Sequence, residues 1–121
     1  MRAKDAVGEY GERIAVRHLA EAGLEVVERN WRCDLGEIDV VAVEGDVLVV
    51  CEVKTRSSES FGTPAEALTP VKLRRQWRLA ARWLAEHQPP HRPPVREVRV
   101  DLVAVLLQRR GRARVEHVRG V

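Results

Sequence analysis

The stretch Gly36-Glu37-Ile38-Asp39-Val40-Val41-Ala42-Val43-Glu44-Gly45-Asp46-Val47-Leu48-Val49-Val50-Cys51-Glu52-Val53-Lys54 decides the fold. Two β-branched runs, Glu37 to Val43 and Val47 to Lys54, flank Glu44-Gly45-Asp46, which predicts an antiparallel hairpin. Side chains alternate across a strand, so Glu37, Asp39, Val41 and Val43 fall on one face, and Leu48, Val50, Glu52 and Lys54 on one face of the partner. A two-residue loop makes Asp39 and Glu52 diagonal neighbours, roughly 7 to 8 Å apart between backbones, and a four-residue loop sets them directly opposite. In either register the two carboxylates share a face.

Upstream, residues 5–22 read as a helix, with Val7, Gly11, Ile14, Ala15, Leu19 and Ala22 at helical spacing and Gly23 as the stop. Gly8 and Gly11 each cost roughly 1 kcal/mol against alanine inside a helix, so they point to close approach of a backbone or ligand, or to a frayed first turn. Leu24 to Trp31 reads as a strand and Arg32 to Gly36 as a turn. Downstream, the polar segment Thr55 to Thr63 reads as an exposed loop, and Thr69-Pro70 opens a helix to about His87. Its apolar face comprises Val71, Leu73, Trp77, Ala80, Ala81 and Leu84. The proline-rich Gln88 to Pro94 is a connector, Val95 to Leu107 a strand, and Ala113 to Val118 a last strand after a turn at Gly111. The order of helix, three strands, helix and one or two strands predicts an α/β fold, a mixed β-sheet flanked by helices.

The chain has 121 residues, 45% hydrophobic and 32% charged, which suits one folded domain over 1–121 and excludes a disordered tail. No apolar run approaches the roughly 20 residues of a membrane span, and Arg2, Lys4 and Asp5 stand where a secretion signal would be turning apolar. A cytoplasmic protein without a membrane partner is expected. Cys33 and Cys51 lack zinc-site spacing and read as free thiols. A net charge of +3 and a pI near 9.3 fit nucleic-acid binding weakly. Basic residues crowd Lys72 to Arg82 and Arg109 to Arg119, whereas carboxylates gather between Asp34 and Glu52. The pattern suits a phosphate-binding rim around an acidic centre, or simply Arg-rich solvated faces.

Two carboxylates facing each other amid Val, Ile and Leu repel and are poorly solvated unless something offsets both costs. A bound Mg²⁺ or Mn²⁺ does so, because such ions at phosphate-handling sites take one or two carboxylates and keep several waters. Alternatively, Lys54 alone neutralises Glu52 and Asp39 sits at a solvated strand edge. The chain has three lysines, Lys4, Lys54 and Lys72, against arginine nearly everywhere else. A compact point charge at position 54 can steady developing charge where a bulky guanidinium cannot. Glu12 lies at the flank of the first helix's apolar face, within reach of a neighbouring sheet or else at the surface, and Glu9 lies nearer solvent.

Gly8 to Arg13 (GEYGER), Arg29-Asn30-Trp31, Gly36-Glu37-Ile38-Asp39, Glu52-Val53-Lys54-Thr55-Arg56 and Phe61-Gly62-Thr63-Pro64 together resemble the YraN-like family of bacterial proteins. That family looks like a branch of the PD-(D/E)XK nuclease superfamily, with a restriction-endonuclease-like core similar to that of archaeal Holliday-junction resolvases. The resemblance implies that Asp39 and Glu52 bind metal with the backbone carbonyl of Val53, that Lys54 is the motif lysine, and that Glu12 is the helix carboxylate of the catalytic set. Gln76 and Lys72 are the positions matching a polar residue on the following helix. The usual proline before the first acid is replaced here by Ile38.

The expected function is an Mg²⁺- or Mn²⁺-dependent endonuclease on DNA, possibly branched, with Arg56, Lys72, Arg74, Arg75, Gln76 and Arg78 contacting nucleic acid. The resemblance also implies a homodimer. Rival readings are a non-catalytic nucleic-acid-binding module and a protein-interaction domain in which Trp77 and Trp83, six residues apart and so on different helix faces, belong to an interface.

Overall fold

The computed structural model describes residues 5–57, 68–87 and 94–121. Its elements are α1 (Ala6–Glu21), β1 (Glu25–Cys33), β2 (Gly36–Glu44), β3 (Val47–Ser57), α2 (Pro70–Glu86), β4 (Glu97–Leu107) and β5 (Arg114–Val118). The strands form one sheet in the order β1-β2-β3-β4-β5. β3 and β4 run parallel and the other neighbours antiparallel. A parallel pair needs a crossover, and α2 lies within it. This is a mixed α/β sheet, consistent with a restriction-endonuclease-like core. Most of the loop expected after β3, with Phe61-Gly62-Thr63-Pro64, and nearly all of the proline-rich connector lie outside the described residues.

Each helix begins where the sequence supplies a cap. Asp5 Oδ1 accepts the Gly8 N–H at 2.7 Å, and Thr69 Oγ1 accepts the Lys72 N–H at 3.2 Å with Pro70 in the first turn. The helices cover opposite faces of the sheet. Ala15 and Leu19 of α1 pack on Val40, Ala42, Val49, Cys51, Val103 and Val105. Leu79, Ala80 and Trp83 of α2 pack on Ile38, Val41, Leu48, Val50 and Val100. At about 25 cal/mol per Å² of apolar surface removed from water, two filled faces are the main source of stability.

Three details differ from the sequence expectation. β1 runs two residues past Trp31, leaving only Asp34 and Leu35 between the strands, because Gly36 takes a φ of +142° that starts β2 tightly. The β2–β3 turn is the two-residue Gly45-Asp46, with Glu44 opposite Val47. Extended, that register sets Asp39 opposite Glu52, the arrangement expected of a four-residue loop, although the turn has two residues.

Strict alternation on β2 also fails. Ile38 and Val41, an odd number of positions apart, lie in one apolar cluster, while Val40 lies in the other. On β1, Trp31 joins the α2-side cluster, where Glu28 also accepts a hydrogen bond from Trp83. The β1–β2 ladder's register shifts between Val26 and Glu28, whereas the change of face comes later, between the pairs Arg29↔Val40 and Trp31↔Ile38, where Asn30 and Asp39 stand. Asn30 has a φ of +55°, the left-handed region that asparagine tolerates better than most residues. Glu37 is therefore out of phase with Val41, not on its face as simple alternation predicts.

Candidate active site

The β2–β3 ladder runs from Glu44↔Val47 to Val40↔Cys51 and ends there. β3 continues to Ser57, paired among the described residues with β4 alone, through Glu52↔Leu102, Val53↔Val103 and Lys54↔Ala104. The backbone N–H of Val53, which no longer serves β2, donates to Asp39 Oδ2 at 2.8 Å. A side chain thus replaces a main-chain acceptor at the point where the strands part. Charge-assisted bonds of this kind are among the stronger ones in proteins.

Glu52 and Lys54, two residues apart on β3, form an ion pair at 3.3 Å between Nζ and Oε2. The neutralisation of Glu52 by Lys54 considered from the sequence is therefore present. Asp39, however, is half-buried and bound to Val53, not at a solvated edge.

A cleft of about 800 Å³ opens beside them, and Glu12, Asp39, Glu52, Val53, Lys54 and Gln76 all line it. The flank position of Glu12 leaves it open to be a surface residue, yet it is only 3% exposed and its Oε1 lies 3.8 Å from Arg29 Nη2. It is held there by the packing of α1 on β3. A Cβ built on Gly11 would run into Thr55 Oγ1, so the helix rests on the strand at a glycine immediately before Glu12 and at the threonine immediately after Lys54. The close approach expected of Gly11 is real, and the partner is a side chain. Glu9 is exposed, as expected.

From the other side of the sheet α2 contributes Gln76. It is 5% exposed, its Nε2 reaches the Glu37 carbonyl at 3.5 Å, and its Oε1 is buried with no hydrogen-bond partner among the described residues. A buried amide oxygen left unsatisfied costs roughly 1 to 3 kcal/mol, so a ligand or water in the cleft is the natural complement. Lys72, Arg75, Arg56 and Arg32 complete a basic rim. Arg74 and Arg78 do not line the cleft and stand exposed on α2. Trp77 is 43% exposed and Trp83 only 7%, on different faces as their spacing implies, but the expected apolar face is displaced: Val71, Trp77 and Ala81 are exposed, and the helix buries Gln76, Leu79, Ala80 and Trp83.

The donor set fits a hard divalent cation. Asp39 and Glu52 line the cleft where the strands part, Glu12 is buried at its wall, and the Gln76 amide oxygen has no hydrogen-bond partner among the described residues. Among the described residues no three His, Cys, Asp or Glu side chains stand together as a metal cage. Mg²⁺ at phosphate-handling sites is held instead through one or two carboxylates and its own waters.

A second polar cluster, which sequence reasoning missed, is centred on Asp101, paired with Cys51 on β3 and reaching back towards the β2–β3 turn at Glu44. Asp101, fully buried on β4, accepts from Arg99 Nε at 2.8 Å and Nη2 at 3.0 Å, and from the Gly120 N–H at 2.9 Å. His117 Nε2 lies 2.7 Å away. Arg99 and Arg119 both reach Glu44. Burial works to raise the Asp101 carboxyl, but hydrogen bonds from His117, Arg99 and Gly120 outweigh it and hold the pKa at about 2. The available signal was one carboxylate inside the apolar run Val98 to Leu107. This cluster stitches the C-terminal strand to the hairpin.

Comparison with known proteins places the molecule among relatives. The model of the uncharacterised protein family UPF0102 matches residues 11–105. The chain belongs to the UPF0102 family. A UPF0102 protein of Beutenbergia cavernae is 64% identical over all of this chain and 99% of its own length. UPF0102 proteins of Kineococcus radiotolerans and Streptomyces griseus are 63% and 56% identical, each over the whole of this chain and 97% and 99% of their own lengths. The matched span takes in α1 from Gly11, all of β1 to β3 and α2, and hence nearly every residue lining the cleft. No helix among the described residues is long and apolar enough to cross a membrane.

Proposed function

We propose that the cleft is the active site of a divalent-metal-dependent endonuclease that hydrolyses phosphodiester bonds of DNA. The observation that supports this reading is that Asp39 and the Glu52–Lys54 ion pair line one cleft with a basic rim, next to where the β2–β3 ladder stops. Asp39, Glu52 and the Val53 carbonyl are the groups that would hold Mg²⁺ or Mn²⁺, and Glu12 stands in the same cleft. Such an ion supplies a polarised phosphate and a water of lowered pKa.

The protein's own groups do the remainder. The ammonium of Lys54, steadied by Glu52, would stabilise the negative charge that grows on the phosphate as the water oxygen bonds to phosphorus, releasing its proton to solvent, and the ester oxygen leaves and takes a proton from solvent. Gln76 offers its unused oxygen to a proton of water. Arg56, Lys72 and Arg75 hold phosphates at the rim, and Arg74 and Arg78 hold the strand beyond it.

The test incubates the purified protein with duplex, single-stranded, flapped and four-way-junction DNA in Mg²⁺, Mn²⁺ or EDTA, alongside Asp39→Ala and Glu52→Ala. Cleavage that needs metal and both carboxylates is expected. Cleavage by the alanine variants at the wild-type rate overturns the reading. Salt-sensitive binding with no cleavage under any condition makes the protein a nucleic-acid-binding module instead.

A further inference from the structure

The outward surface of α2 extends beyond the part that lines the cleft. Lys72, Arg74, Arg75 and Arg78 are all exposed, and the first turn of the helix holds no acidic residue. None of the four forms an ion pair with another described residue, although Arg82, further along the same helix, is matched to Asp34 and Glu86. Four cations within the seven residues from Lys72 to Arg78, on a helix with no carboxylate before its last residue Glu86, make a surface complementary to a polyanion.

Within this surface stands Trp77, with 43% of its area exposed although its neighbour in sequence, Gln76, is buried at the cleft. It follows Arg74 by three positions, which makes the two side chains neighbours on the helix surface. Lys72 and Arg75, which line the cleft, lie within two turns of it.

A polyanion that also rewards an exposed indole is a nucleic acid with unstacked bases. Duplex DNA presents phosphates to such a helix but keeps its bases stacked and paired, so the indole gains little. In a single strand every base has a face free to stack on an aromatic ring, and arginines beside it follow the backbone.

We infer that Trp77, with Arg74 and Arg78, is a stacking platform for unpaired nucleotides leading into the cleft. The preferred substrate is then DNA with a single-stranded segment next to the bond to be cut. This inference rests on the cleft being a phosphodiester site, and its test is made separable from cleavage by working in EDTA.

The probes are a fluorescein-labelled single-stranded 20-mer and the duplex of the same sequence, titrated with wild type, Trp77→Ala and Trp77→Phe. An exposed side chain allows both variants to fold, which thermal melting checks. Single-strand affinity is expected to fall about tenfold in Trp77→Ala and to be mostly retained in Trp77→Phe, while duplex affinity changes less than about twofold. Equal binding of the single strand by Trp77→Ala overturns the platform, and so does an equal loss on duplex. Sedimentation provides a third outcome: if Trp77→Ala converts a dimer to a monomer and leaves single-strand binding unchanged, the indole belongs to an interface between copies and the proposal fails. Trp77-dependent single-strand binding by a protein that cuts nothing in metal would retain the platform and remove the nuclease reading alone.

Discussion

Asp39 Oδ2 takes the backbone N–H of Val53 at 2.8 Å, fourteen residues along the chain, at the point where β2 and β3 cease to pair. That bond ties the first acid of the cleft to the strand bearing Glu52 and Lys54. It also supplies an acceptor to an amide that would otherwise be left half-buried without one, a loss of roughly 1 to 3 kcal/mol. Asp39 therefore has a structural role in addition to the proposed chemical one. Asp39→Asn, which keeps an acceptor oxygen, is expected to lose activity with little loss of stability, whereas Asp39→Ala is expected to lose both. Urea denaturation of the two variants beside their cleavage rates checks this.

Lys54 separates the two roles more cleanly. Its ion pair with Glu52 is partly exposed, and such pairs contribute about 0 to 1 kcal/mol. Lys54→Met should melt within a few degrees of wild type yet cut DNA on the order of 10² to 10³ times more slowly. A slow variant that is also strongly destabilised would mean that the lysine mainly holds the fold.

Gly11→Ala is predicted to be destabilising even though alanine is the better helix former by about 1 kcal/mol. The added methyl meets Thr55 Cβ at 2.8 Å as well as Oγ1, and a β-branched residue on a strand has little room to turn away. Overpacking of this kind costs about 1 to 3 kcal/mol, so the net change is a loss on the order of 1 kcal/mol. Because Glu12 and Lys54 flank the contact, the variant should also cleave more slowly. Gly11→Ala combined with Thr55→Ser, which removes a methyl, should recover part of the stability.

The Asp101 cluster predicts a pH dependence. Its folded pKa of about 2 lies below the ordinary 3.8, so the unfolded chain binds the proton more tightly. The resulting stabilisation, on the order of 2 kcal/mol, is complete above about pH 4 and is lost as pH falls through 4 towards 2. Glu44, lowered by hydrogen bonds from Arg119 and Arg99, acts in the same direction. Denaturant midpoints measured between pH 2 and 6 should fall on the acid side, and Asp101→Asn should flatten that part of the profile while lowering stability throughout.

The two thiols should differ in reactivity. Burial, with Asp101 nearby, pushes the Cys51 thiol well above its ordinary range, whereas Cys33 is half-buried at the cleft. Native protein is expected to react with a thiol reagent at one site, and denatured protein at two. Rapid modification of both in the native state would contradict the packing of β3.

The hairpin was legible because two β-branched runs around Gly45-Asp46 leave few other folds open, and its parity placed Asp39, Glu52 and Lys54 in one region. The end of the ladder was not legible. It depends on Asn30 adopting a left-handed φ and on alternation slipping across two strands at once, a tertiary arrangement that no local pattern reports. Glu12 was placed on the right side of α1, but its burial depends on Gly11 letting the helix approach Thr55. The Asp101 cluster escaped because its partners, Glu44, Arg99, His117 and Arg119, come from separate strands and the C-terminal segment.

The most direct test of the account is where a cation binds. In a crystal soaked in Mn²⁺, the anomalous signal is predicted to lie beside the carboxylates of Asp39 and Glu52 and the carbonyl of Val53, and to vanish in Asp39→Asn. A peak elsewhere in the molecule with none at this strand junction, or one that persists undiminished in the variant, would contradict it.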